Sequence, residues 1–167
     1  AIDILLEDRH DITPIFSYNV STLDTRFFKQ ADFEKEIIRK TGKQPLKTIV
    51  QAETIAKSDI QLMLVAPCTG NTLAKIAHGI TDTPVTMAVK ATLRNNRPVV
   101  LSVSSNDALG ANARNIGALL NARHVFFVPF AQDAPDSKPN SLIADTSLIL
   151  PTIKSAMDGV QLQPIFS

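Results

Sequence analysis

Residues 62–73 read Leu62-Met63-Leu64-Val65-Ala66-Pro67-Cys68-Thr69-Gly70-Asn71-Thr72-Leu73, and the character of the chain changes at Pro67. The run before Pro67 has no polar alternation, the pattern of a strand covered on both faces of a parallel sheet. The residues after it are small and polar, and Leu73, Ala74, Ile76 and Ala77 then recur at helical spacing up to a stop at Gly79. The order strand, tight polar turn, helix start predicts an α/β protein with a doubly wound, Rossmann-like, mostly parallel sheet and helices on both faces.

In such a sheet ligands collect beyond the carboxyl ends of the strands. A helix start there offers unpaired backbone N–H groups and a partial positive charge. Pro67, Thr69, Gly70, Asn71 and Thr72 are therefore candidates to face a polar or anionic ligand, with Gly70 letting the backbone approach closely. The same stretch also suits a plain helix cap from Thr69 or Asn71, and on these residues alone both readings stand.

Downstream the design repeats. Residues 83–95 begin Thr83-Pro84, an N-cap followed by proline at the first helical position. Residues 98–103 are a second apolar run, ending in Ser104-Ser105-Asn106-Asp107, and residues 111–121 place Ile116, Leu119 and Leu120 on the apolar side of a helix. Residues 125–128 form a further buried strand closed by Pro129. Strands that alternate with helices in this way are joined by right-handed crossovers. Residues 130–140 show no periodicity and predict a loop of functional length, which a solvated connection would explain equally well. A last helix is expected from Ser147 or Pro151 to Asp158, stopped by Gly159, with residues 161–167 as a tail.

Upstream, residues 1–9 suit a helix with Ile2, Leu5 and Leu6 on one face, and residues 11–20 a strand whose end, from Ser17 through Asn19 to Thr22, is rich in hydroxyls and amides. Those residues would share the sheet rim with residues 69–72. Residues 31–40 predict an amphipathic outer helix stopped by Gly42, and residues 47–50 a minor strand.

The chain has 167 residues, 44% hydrophobic and 20% charged, which suits one domain over residues 1–167. Seventeen basic and sixteen acidic residues leave a net charge of +1, so there is no electrostatic case for nucleic acid or an anionic membrane. Cys68 is the only cysteine, and His10, His78 and His124 lack ligand spacing, so neither disulfides within the chain nor a metal site is expected. No apolar run reaches the roughly 20 residues of a spanning helix, and a cytoplasmic location is expected.

The segments Ala66-Pro67-Cys68-Thr69-Gly70-Asn71-Thr72, Thr81-Asp82-Thr83-Pro84-Val85, Asn106-Asp107-Ala108-Leu109-Gly110, Lys138-Pro139-Asn140-Ser141 and Gln161-Leu162-Gln163-Pro164, with the run from Lys90 to Leu101, stand in an order and spacing that resemble the flavoprotein family. That family includes homo-oligomeric flavin-containing cysteine decarboxylases and flavin prenyltransferases. The resemblance implies an FMN cofactor, with Asn71 against the flavin, Ser17 at the FMN phosphate and the span from Ser104 to Asn106 bordering the ring. It further implies a homo-oligomer, a trimer or a multiple of trimers, and, in a spore-forming bacterium, oxidation of a dihydropyridine dicarboxylate together with an A-type partner subunit that holds NADP. The alternatives are an FMN-dependent decarboxylase or prenyltransferase-like enzyme of another substrate, and a non-catalytic assembly partner of that A subunit.

Asn71, Asn106, Asp107 and Lys138 are the catalytic candidates on this basis. Asp107 could serve as a general base drawing a ring proton, but a helix N-cap suits it better. A dicarboxylate needs fixed cations, for which Arg26, Arg114 and Lys138 lie near predicted rim loops, while Arg94 and Arg97 suit structural contacts. Cys68 suits packing. The family's first strand and Gly-Ser/Thr phosphate loop would precede the helix in which this chain opens. Its Pro-x-Met-Asn substrate clasp is replaced here by residues 106–110, which turns the expectation away from peptidyl-cysteine decarboxylation.

Overall fold

The computed structural model of the chain describes residues 1–24 and 29–166. The apolar run of the quoted stretch forms β1 (Met63–Cys68), and the second run forms β2 (Val99–Ser105). Met63, Leu64 and Val65 pair with Val99, Val100 and Leu101 in parallel, and the register shifts before Cys68 meets Val103. The Ala66–Pro67 peptide within that shift is cis. On its other edge β2 pairs in parallel with β3 (Val125–Phe127) through Val99 to Leu101. Val99, Val100, Leu101 and Val103 are all 0% exposed, so β2 is the centre of the sheet. Burying a side chain of this size contributes roughly 1.5–3 kcal/mol.

The parallel part matches the sequence pattern; the rest of the sheet does not follow from it. β4 (Phe130–Ala131) and β5 (Leu142–Ala144) lie at either end of the expected loop, and β5 pairs antiparallel with both β4 and the end of β2 at Ser104 and Ser105. The loop thus connects two short strands, each too brief to show alternation beside Pro135 and Pro139. The expected tail is tied down as well: Phe166 bridges to Phe130, their rings meeting edge-on at 5.3 Å.

Eight helices are described. The first are α1 (Ile2–Glu7), α2 (Tyr18–Thr22), α3 (Gln30–Thr41) and α4 (Ile49–Glu53). After β1 come α5 (Gly70–Ala77), α6 (Pro84–Arg94), α7 (Ala113–Leu120) and α8 (Ile149–Met157). Stops stand where glycine permits them: Gly42, Gly79 and Gly159 take φ of 69°, 67° and 75°. Thr83 begins α6 with a reciprocal bond to Thr86 ahead of Pro84. On α7, Ile116 and Leu119 are buried, whereas Leu120 is 39% exposed.

Two expected strands are corrected. Over residues 11–20 only Ile15 pairs, as an isolated bridge to Leu46, because the Ser17 hydroxyl accepts the Val20 N–H at 3.3 Å and turns the chain into α2. Residues 47–50 are a helix start. The Thr48 hydroxyl accepts the Gln51 N–H and the Gln51 side chain accepts the Thr48 N–H, both at 3.1 Å, which is a capping box.

Candidate functional site

At the carboxyl end of β1, Thr69 occupies the N-cap position of α5, yet its side chain makes no capping bond. The Thr69 hydroxyl turns instead to Thr72 at 3.3 Å, and the first backbone bond of the helix runs from Leu73 N–H to the Thr69 carbonyl. The N–H groups of Gly70, Asn71 and Thr72 therefore stand at the rim with neither helix carbonyl nor cap to accept from them. Of the two readings open to this stretch, the plain cap loses its main support. Three donors at the positive end of an eight-residue helix are left open to an anionic or polar acceptor.

The turn after β2 closes on this helix start. A β-carbon on Gly70 would lie 2.5 Å from Ser105 Oγ, 2.7 Å from Asn112 Nδ2 and 2.7 Å from Asp107 Oδ1. Gly70 thus makes room for the neighbouring turn, a different use from the close ligand approach expected of it. Nor does Asp107 cap α7, whose N-cap position belongs to Asn112. Its carboxylate accepts from Ser105 Oγ at 2.5 Å and from Asn112 Nδ2 at 2.9 Å. The Ser105 hydroxyl above all, then Asn112, holds the Asp107 carboxyl below its ordinary value near 3.8. An ionised carboxylate with both oxygens engaged is a weak proton acceptor.

Pro67 and Ser104 face a common cavity of about 270 Å³, closed by Ala66, Ile143, Thr146 and Ala1. A larger trough, about 460 Å³, runs between Ile76, Ile80, Val89 and Leu93 at the far end of α5, but it holds no residue of either polar turn. The smaller cavity takes Ser104 from the second polar turn and Pro67 from the end of β1, and it adjoins the start of α5 without being lined by it.

The loop between β4 and β5 reaches the same rim. Leu109 N–H donates to the Asn140 carbonyl at 3.0 Å, and the Ser141 hydroxyl lies 3.4 Å from Asn106 Oδ1. The Ser141 hydroxyl and then the Lys138 ammonium hold the Asp133 carboxyl below its ordinary range. With a single proton to give, Ser141 serves that carboxylate better than the longer contact to Asn106. Lys138 bonds Asp133 at 3.1 Å, so its charge is already partly matched.

Other candidates stand apart. Ser17 and Thr22 spend their hydroxyls within α2, on Val20 N–H and the Tyr18 carbonyl, and Asn19 is exposed on the same helix. Among the described residues no hydrogen bond joins α2 to the two polar turns. Arg114 is exposed and donates to the Ala111 carbonyl at 3.3 Å, and Arg97 donates to the Ser58 carbonyl at 2.7 Å, a structural contact as its position predicted. Arg26 lies outside the described residues. Cys68 is 0% exposed and burial pushes its thiol up to about 12, which fits packing. Among the described residues no group of three or more His, Cys, Asp or Glu could hold a metal, and no helix is long and apolar enough to cross a membrane.

Asn112 was missed in the sequence, and Ser105 was held only within the span from Ser104 to Asn106. Ser105 adjoins the residues singled out, but only its spatial meeting with Gly70 gives it meaning. The donors at the start of α5 and the exposed amide of Asn71 are open to a polar or anionic acceptor.

The flavoprotein family model matches residues 1–153. The chain is 44% identical over 165 residues to the dipicolinate synthase B subunit of Bacillus subtilis (strain 168), covering 98% of this chain and 82% of that relative. The crystal structure of the corresponding B subunit from Bacillus halodurans C superposes with a TM-score of 0.91 at 40% identity, over 99% of this chain and 86% of that one. The FMN-dependent cysteine decarboxylase SpaF shares the fold, with a TM-score of 0.56 at 24% identity over 74% of this chain and 71% of its own. By the extent of the family match and by near full-length identity to a curated relative, the chain belongs to the flavoprotein family.

Proposed function

We propose that the chain is the FMN-binding component of a dipicolinate synthase, its B-type polypeptide. In sporulation it oxidises dihydrodipicolinate to dipicolinate together with an A subunit that carries NADP, and it assembles as a homo-oligomer built on trimers. The observation that carries this reading is the 44% identity to the Bacillus subtilis relative across 98% of the chain.

Bound flavin would supply an acceptor for the two electrons that a dihydropyridine loses on aromatisation. The chain's own task is orientation and charge matching. Gly70, Asn71 and Thr72 N–H groups and the Asn71 amide would hold the ring's polar edge, with Ser104 and Asn106 on the neighbouring turn bordering it. Lys138 and Arg114 are the cations available for the substrate carboxylates, Lys138 by exchanging Asp133 for substrate. Asp107 serves the architecture of the rim, its oxygens being taken.

The test is dipicolinate formation by purified A subunit with this chain, with its Asn71→Ala variant and without either. Turnover that needs both polypeptides and falls with Asn71→Ala is expected. Equal stimulation by the FMN-free chain and by the variant would reduce it to an assembly partner.

A further inference from the structure

Asn112 is an asparagine at a helix N-cap, where this residue type most often satisfies its own helix, yet its side chain makes no capping bond to α7. It is 5% exposed, and it spends its amide elsewhere. Nδ2 donates to Asp107 Oδ2 at 2.9 Å, while Oδ1 accepts from Asn115 Nδ2 at 2.8 Å. Asn115 is itself 6% exposed. Burying two amides is costly unless every polar atom is matched, so a string of this kind holds one geometry. The middle place must donate to a carboxylate on one side and accept from an amide on the other, and the Asn112 amide does both from the two ends of one planar group. Turned over, it would set oxygen against oxygen and nitrogen against nitrogen.

The far end of the string is the helix start. Asp107 Oδ1, Ser105 Oγ and Asn112 Nδ2 occupy the space a β-carbon of Gly70 would need. Nothing else caps α5, so these three atoms bound its first turn on that side. We infer that Asn112 is a positioning residue: through Asp107 it sets where the first turn of α5 stands, and so where the donors of Gly70, Asn71 and Thr72 point. The inference rests on the reading that those donors hold flavin.

Gly70 supplies a test with a definite sign. Its φ lies outside the left-handed region, so alanine suits the backbone, and alanine is the better helix former. Without the latch, Gly70→Ala would be harmless or stabilising. With it, the added carbon displaces the helix start. Gly70→Ala, Asn112→Ala and the double variant are titrated with FMN by fluorescence quenching and melted without FMN, and Asn112→Ser replaces Asn112→Ala should the latter not fold. Gly70→Ala is expected to weaken FMN binding at least about tenfold in the parent and far less in the Asn112→Ala background. Thr92→Val, a buried hydroxyl deletion in α6, lowers the melting midpoint and leaves FMN affinity within about twofold, which separates positioning from general loss of stability. Equal losses from Gly70→Ala in both backgrounds would overturn the inference. If the parent itself ignores FMN, the flavin reading fails, and the latch is judged on melting alone: a midpoint lowered by Gly70→Ala only while Asn112 is present supports it, and an additive change refutes it.

Discussion

The Gln161 side chain pairs with the backbone of Phe127 as a neighbouring strand would: its Oε1 accepts the Phe127 N–H and its Nε2 donates to the Phe127 carbonyl, both at 2.7 Å. Phe127 is 0% exposed and lies on β3, so the amide supplies both hydrogen bonds at the edge of the sheet. Gln161→Leu keeps the volume and orphans both groups. It is expected to cost about 2–6 kcal/mol, from roughly 1–3 kcal/mol for each of the two unsatisfied groups, and urea unfolding measures it. A loss under about 0.5 kcal/mol would show that water takes over both bonds.

Asn71 is exposed at the first turn of α5, and no packing depends on it. Asn71→Ala is expected to weaken FMN retention by about tenfold, the worth of roughly 1.4 kcal/mol, while the melting midpoint without FMN stays within a degree or two. Flavin absorbance after gel filtration reads the first quantity and circular dichroism the second. Unchanged flavin content would remove Asn71 from the site.

The loop between β4 and β5 is pinned at its base by the Leu109–Asn140 backbone bond and along its length by the Lys138–Asp133 pair. Replacing residues 133–138 by a short glycine linker is expected to cut turnover by more than about tenfold and to change FMN affinity by less than about threefold, as for a cover over a site that forms without it. Parallel losses in both would make the loop part of the cofactor cradle.

Cys68 is buried against the core with its thiol pushed up to about 12 by loss of solvation. The folded value lies above the ordinary one of 9.0, so the folded state holds the proton more tightly than the unfolded chain. Its contribution to stability is whole below pH 9 and drains away as pH rises towards 12. A thiol reagent at pH 8 should label the chain only on unfolding, and Cys68→Ala should flatten the alkaline loss of stability between pH 9 and 11. Rapid labelling of the folded protein would refute the burial argument.

What the sequence carried, and what it did not, follows from how far each signal reaches along the chain. β1 to β3, the Thr83-Pro84 helix start and the stops at Gly42, Gly79 and Gly159 depend on neighbours within a few residues, and all were legible. Residues 47–50 were misread because the strand preference of Thr48, Ile49 and Val50 hid the Thr48–Gln51 capping box. Ser17 was read as a strand end because its role as a helix cap rests on one hydroxyl. β4 and β5 are too short to alternate and exist through pairing with Ser104 and Ser105. At the site the polar turn from Thr69 to Thr72 was legible as a rim. The meeting of Gly70 with Ser105, Asp107 and Asn112 was not, since it joins residues about forty apart through space.

Native mass spectrometry of the protein mixed with FMN asks the central question most directly. One FMN per chain, on an assembly that is a multiple of three chains, is the expected mass, with the flavin signal lost in Asn71→Ala. A protein that keeps its flavin-free mass at saturating FMN would contradict the assignment of the α5 helix start as a flavin cradle.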